Sequence, residues 1–433
     1  MPTASSAKSM RSRPAIVTIL LLLSTVAGAQ EYYYNLKFRL SPKNFADTVD
    51  IEVDDGRIYL PVIINGQPHR FLLDTGASMG AVFTDSPILA PPANSAPSSA
   101  SAPSSASSPS SAAPSVGSAA AVPQPVGTIT SHDATGQARS TEVLRLPDLQ
   151  IGRLTITGYH ANHLHRLSKD NSCEGIIGFD IFNKGLLAKI DTRNRRLILT
   201  DRRRHFSHEP GFEARYRLRR HVPYVALTPF GIYADEARFD TGDRSFYALS
   251  RQSFDAAIAA TPGEIEPQVE ARTHGSQRIS HFGTETNDEV AALCLRTLKW
   301  GDFSFRNVRT LTAQGPSAIG SALLDYGAVI INPRRRRLLF QPYERSFQCW
   351  VDNRLPDIYY IPDRQGRPIV GLVWEQSEPY RQGFRQGDVI TAVDGTPIRS
   401  VADFTHYPFI ANQTYTVTVS DKHGNIRLIR LTK

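Results

Sequence analysis

The sequence predicts a mainly β protein: a β lobe that occurs twice in one chain, followed by a third, smaller β unit. Three observations predict it. Apolar stretches of strand length, separated by turn residues, run through most of the chain, and long amphipathic helices are absent. An apolar strand that ends on Asp-Thr-Gly occurs twice, at Asp74-Thr75-Gly76 and at Asp240-Thr241-Gly242. Beyond Trp350 the sequence changes character and continues as a separate unit.

Before the first lobe comes a leader. Lys8, Arg11 and Arg13 precede an apolar run over residues 15–26, which ends in Ala27-Gly28-Ala29. A charged start, a short apolar run and an A-x-A site form the pattern of a secretory signal peptide, expected over residues 1–29. The run is too short to span a bilayer comfortably, and no later stretch approaches the ~20 apolar residues of a spanning helix. The expected location is therefore periplasmic or secreted, with no transmembrane segment. Loss of the leader removes three basic residues and no acidic ones, lowering the net charge from +8 to +5. Runs such as Arg202-Arg203-Arg204 and residues 334–337 read as solvated turns rather than a nucleic-acid site, since no nucleic-acid motif accompanies them. Cys173, Cys294 and Cys349 are too few and too far apart for a disulfide framework, and no pairing follows from them.

The first lobe is expected over residues 30–204. "IYLPVIINGQPHRFLL" reads as two strands joined at Asn65-Gly66, the strongest short hairpin signal. Residues 86–124 are nearly all Ser, Ala and Pro, which cannot bury apolar area, so a disordered insert is expected there within the lobe. "CEGIIGFDIFNKGLLAKIDTRNRRLILT" closes the lobe with an apolar pair plus glycine, a short turn or helix, and a hairpin.

The second lobe, over residues 205–346, repeats this order. "DEARFDTGDRSFYALS" carries the second Asp-Thr-Gly, and "SAIGSALLDYGAVIINPRRRRLLFQPY" repeats the closing element. Gly178 lies 13 positions before Asp191, and Gly320 lies 12 before Asn332. One Asp-Thr-Gly alone is an ordinary turn signal. Two of them, with matching downstream elements in the same order, are a duplication that places one carboxylate at the same point of each copy.

Two such carboxylates can meet on the axis between the lobes. A close pair cannot both ionise easily and shares one proton. One member then acts as base on a bound water while the other protonates the carbonyl under attack. The glycines allow backbone N–H groups to turn toward the carboxylates, and each Thr hydroxyl can brace the turn against its twin.

Two Asp-Thr-Gly motifs, each with a downstream apolar-apolar-Gly (Ile176-Ile177-Gly178; Ala318-Ile319-Gly320), resemble the aspartic proteases, most closely the retropepsin-like branch. The resemblance covers residues 31–345 and implies a bilobal pair of β-barrels. It implies Asp74 and Asp240 as the catalytic pair, supported by Thr75, Gly76, Thr241 and Gly242, with flap tips near residues 131–137 and 282–288. Asp243 departs from the pattern, which places Ala, Ser or Thr there. It either adds a third carboxylate to the pair or points outward to Arg244.

"SEPYRQGFRQGDVITAVDGTPI", residues 377–398, resembles a PDZ domain, expected over residues 353–433. Such domains add a peptide to a sheet edge and hold its carboxylate in backbone N–H groups. That places the peptide site at Val370, Gly371, Leu372 and Val373. His160, His163 and His165 fit no closed zinc set, and neither metal nor cofactor is expected. Together these readings describe an exported, monomeric aspartic endopeptidase acting on peptides or unfolded protein, with a C-terminal peptide as the PDZ ligand and no nucleic-acid partner. The alternative is an inactive peptide-binding scaffold of the same fold, motivated by Asp243.

Overall fold

A computed structural model describes residues 37–90, 121–133, 137–166, 173–231, 233–277, 279–280, 282–363 and 365–432. The expected leader and residues 91–120 of the Ser/Ala/Pro tract lie outside them.

In the first lobe, Arg57–Ile64 and Gln67–Leu73 form the expected hairpin, with Asn65 and Gly66 both at positive φ as a type I′ turn requires. Gly175–Ile177 lies parallel to Gln67–Leu73, with Ile177 opposite Leu73, and antiparallel to Ala81–Phe83. In the second lobe, Ala318–Gly320 lies parallel to Tyr233–Asp240, with Gly320 opposite Asp240, and antiparallel to Tyr247–Ser250. The duplication in sequence is therefore a duplication in strand pairing. These central strands are apolar on both faces because each is covered on both sides: Leu73, Ile177, Phe239 and Ile319 are fully buried.

The lobes share a sheet. Leu187–Asp191 pairs antiparallel with Gly327–Asn332, Ala188 facing Ile331 and Ile190 facing Val329. On one side follow Arg196–Thr200 and Ala46–Asp50, and on the other Arg337–Pro342 and Phe212–Arg219. Each half comes from one copy of the closing element, so the pseudo-twofold axis runs between Leu187–Asp191 and Gly327–Asn332. One continuous apolar core spans both lobes. The chain is mainly β and bilobal.

The third unit is a separate sheet in the order Ile358–Pro362, Pro368–Val373, Val389–Val393, Thr414–Ser420, Ile426–Thr432. It has its own core, including Val370, Phe384, Ile390, Val417 and Val419. Two short helices accompany it. Val401–Thr405 starts on a capping box formed by Ser400 and Asp403, so its first turn is fixed by local hydrogen bonds. No helix among the described residues is long and apolar enough to cross a membrane.

Candidate active site

Each Asp of the duplicated motif stands where a buried strand turns back. The Asp74 N–H donates to the Ile177 carbonyl at 3.0 Å, and the turn is closed by the Ala77 N–H on the Asp74 carbonyl at 3.2 Å. In the second copy the Asp243 N–H closes the same turn on the Asp240 carbonyl, also at 3.2 Å. Inside these turns the backbone faces the carboxylates. Asp74 Oδ1 accepts the N–H groups of Gly76 at 2.8 Å and Ala77 at 3.1 Å, and Asp240 Oδ1 accepts that of Gly242 at 3.1 Å.

The turns interlock. A Cβ on Gly76 would lie 2.3 Å from Asp240 Cγ, and one on Gly242 would lie 2.6 Å from Asp74 Cγ. Each glycine is thus the floor under the opposite carboxylate, and a side chain at either would push the two acids apart. Beneath them, the Thr75 N–H donates to Thr241 Oγ1 and the Thr241 N–H to Thr75 Oγ1. The hydroxyls pass their own protons onward, Thr75 to the Phe239 carbonyl at 2.8 Å and Thr241 to the Leu73 carbonyl at 2.6 Å. Every donor at this buried crossing has an acceptor, as a buried polar group requires.

The two carboxyl groups are hydrogen-bonded to each other. Burial first, and the neighbouring Asp240 charge second, push Asp74 up to about 8. Asp74 therefore holds a proton at neutral pH.

A residue that sequence reasoning missed completes the group. Arg238 Nη2 lies 2.7 Å from Asp240 Oδ2, with both side chains under a tenth exposed. Arg238 and Asp240 are two apart on one strand and so share a face. Burial works against the guanidinium's charge, and Asp240, Tyr224, Asp74 and Asp243 together hold that charge in place. The first lobe has Leu72 at the corresponding position.

The expected flaps are two hairpins, Gln124–His132 with Ala138–Arg145 and Val269–Gly275 with Asn287–Trp300. Residues 134–136 and 281, within or beside the expected tips, lie outside the described residues. The described parts of the tips meet across the lobes. Asp133 Oδ2 accepts the Phe282 N–H at 2.9 Å, and Arg139 Nη2 donates to the Phe282 carbonyl at 3.0 Å. The Arg139 guanidinium also stands 5.7 Å from the centre of the Phe282 ring.

No protein-family model matches the chain, and no curated protein matches it. Among solved structures, the crystal structure of basic 7S globulin from soybean aligns with 69% of this chain and 95% of its own, at 11% identity and a TM-score of 0.36. A likeness of that size carries no argument.

Asp243 takes part in the turn that follows its motif, and its charge acts on the buried Arg238. Its carboxylate accepts the Ser245 N–H at 2.9 Å, and its carbonyl accepts the Ser321 N–H at 2.7 Å and hydroxyl at 3.1 Å. Arg244 pairs instead with Asp55, across the lobe boundary.

A second buried acid was also missed. Asp180, 1% exposed, accepts the Tyr159 hydroxyl and the Ile181 N–H, both at 3.0 Å. Burial pushes it up to about 7, against those two donors. Its sequence signal was an acid directly after Gly178-Phe179, at the start of a short buried helix.

The peptide site expected at Val370, Gly371, Leu372 and Val373 needs correction. Strand Pro368–Val373 is interior, paired with Ile358–Pro362 on one side and Val389–Val393 on the other. Val370 and Val373 belong to the third unit's core, while Leu372 packs with Val290 and Ala292 of the second lobe. The Gly371 carbonyl accepts the Ser276 N–H at 2.9 Å. These residues hold the C-terminal unit against the second-lobe hairpin, and the strand has no edge left for a peptide.

The histidines make separate contacts: His163 with Glu142 and His165 with Thr84, while His160 is buried. Among the described residues the three cysteines form no disulfide.

Proposed function

We propose that this chain is an exported, monomeric aspartic endopeptidase of the retropepsin-like type, hydrolysing peptide bonds in extended or unfolded substrates. The observation that carries this reading is the interlock of the two Asp-Thr-Gly turns, which presses two hydrogen-bonded carboxyls together with one proton held at neutral pH. In the proposed reaction, one carboxylate takes a proton from a bound water as the water oxygen bonds to the peptide carbon, and the partner's proton passes to the carbonyl oxygen. The resulting diol collapses: the C–N bond breaks, the first carboxyl protonates the leaving nitrogen, and a diol proton returns to the second. No covalent intermediate forms.

The C-terminal unit is proposed to act as a PDZ domain that positions substrate or partner. Its available edge is Ile358–Pro362, which among the described residues pairs only with Pro368–Val373. Helix Val401–Thr405 packs beside it, the Tyr360 and Phe404 rings 4.8 Å apart. An extended peptide adds to such an edge by main-chain hydrogen bonds.

The test is digestion of labelled, unfolded casein by the purified mature chain between pH 4 and 8 with EDTA present. Cleavage should occur. Asp74→Asn and Asp240→Asn should each lower its rate by at least about a thousandfold, within the range lost with a general acid or base, while circular dichroism stays unchanged. Near-normal activity in either folded variant would remove the proposed pair.

A further inference from the structure

We propose that Arg238 is a positioning residue that gives the two carboxyls fixed and different roles: Asp240, paired with the guanidinium, takes the proton from the attacking water, and Asp74 carries the proton donated to the carbonyl. This rests on the hydrolytic reading above and names which acid does what.

The cost of the arrangement argues for a use. A buried guanidinium is expensive and persists only where it is paired or employed. The fold does not need one here, since the first lobe builds the same strand with Leu72 at the corresponding position. The pairing also breaks the symmetry of the dyad. Asp74 Oδ1 receives two backbone N–H groups, whereas Asp240 receives one at Oδ1 and a full positive charge at Oδ2. With a single proton between the acids the buried group of Arg238 and the two carboxyls is neutral overall in either arrangement, but an anion at Asp240 is in direct contact with the guanidinium, whereas an anion at Asp74 leaves the guanidinium facing a neutral acid. The first arrangement is favoured.

Room for chemistry remains. A carboxylate offers about four lone-pair sites; the Gly242 N–H, Arg238 and the hydrogen bond from Asp74 use three of those on Asp240, which leaves one for the water. When Asp240 has taken the water proton, the adjacent guanidinium disfavours its neutral form and drives that proton on to the leaving nitrogen. Arg238 thus acts at both steps without touching substrate. The charged and titratable groups around it are Asp240 and Asp74 ahead of it, Tyr224 on the paired strand and Asp243 in the turn. Asp243 is engaged by Ser245.

The experiment follows carboxyl-carbon NMR of the full mature chain labelled with 13C-aspartate, titrated with pH. Asp74→Asn and Asp240→Asn assign the two signals. In the wild type, the dyad signal that titrates near neutrality should be that of Asp74. In Arg238→Met the Asp74 midpoint should move to higher pH, because a cation that favoured its anionic form is gone. The upper limb of the pH–rate profile should follow, with kcat down by at least about tenfold, KM little changed, and much of the loss recovered in Arg238→Lys. Should Arg238→Met fail to fold, the wild-type titration still decides: a neutral-range proton on Asp240 overturns the proposal. So does an unmoved Asp74 midpoint in folded Arg238→Met. A split titration in a chain that cleaves nothing would support the Arg238 assignment of the proton while removing the protease reading.

Discussion

Thr75 and Thr241 exchange hydrogen bonds across the lobe boundary, each hydroxyl accepting the other's N–H at 3.0 Å. Both residues are fully buried. Because the hydroxyls also donate to the strands under the opposite Asp, the crossing ties the position of each acid to the backbone of the other lobe.

Thr75→Val keeps the shape and removes one hydroxyl, leaving the Thr241 N–H and the Phe239 carbonyl buried without partners. A loss of about 1–3 kcal/mol is expected for each group left unsatisfied. Thr75→Ser should keep most of the stability. Urea unfolding of the two variants reads the difference, and equal midpoints would show that the exchange contributes nothing.

The pH–rate profile should have its upper limb at about 8, where Asp74 loses its proton. Because the Asp243 carboxylate is held by the Ser245 N–H, Asp243→Ser should leave that limb within a few tenths of a pH unit. A clear displacement would place Asp243 among the groups acting on the pair, and the case for a scaffold that has lost catalysis would gain weight.

Asp180 makes folding stability depend on pH in a definite direction. Its folded-state value is raised above that of the unfolded chain, so in the window from about 4 to about 7 the native state keeps a proton that the unfolded state releases. Stability therefore falls as pH rises through that window and is flat, as far as Asp180 is concerned, on either side. The whole effect is on the order of 4 kcal/mol at roughly 1.4 kcal/mol per pH unit. Asp180→Asn still accepts the Tyr159 hydroxyl and should flatten the slope, with the remainder due to Asp74, which acts in the same sense. Thermal melting from pH 4 to 8 checks it: an unchanged slope in the variant would mean that Asp180 is ionised in the native state.

The parts of this fold that could be read from sequence are those coded locally or by repetition. Asn65-Gly66 fixes a hairpin by its own φ preferences, and two copies of Asp-Thr-Gly with the same closing element define the lobes and their pairing of acids. What could not be read depends on strand order in space. Val370 to Val373 have the apolar pattern of any buried strand, and nothing in those letters says that both edges are taken or that Leu372 faces Val290. Asp180 and Tyr159 are 21 positions apart and meet only after folding. Arg238 is the exception. The two-residue period of a strand puts it beside Asp240, and a cation two positions before the carboxylate, where the first copy has Leu72, was a visible signal.

The contact of Ser276 with Gly371 makes the two hairpins unequal in inertia. A Cβ on Gly275 would lie 2.2 Å from the Gly371 carbonyl, so the base of the second tip is pressed directly onto the C-terminal sheet. Among the described residues the first hairpin has no such anchor in the C-terminal unit and can swing with the speed of a loop, in nanoseconds to microseconds. The second must carry a whole folded body with it or first let go of that body, which belongs to the microsecond-to-millisecond range of hinged domains. Relaxation dispersion at His132 and Phe282 separates the cases, since only Phe282 should retain slow exchange once Asp133→Ala and Arg139→Ala together have parted the tips. If so, the motion of the second hairpin is timed by the C-terminal unit to which it is tied.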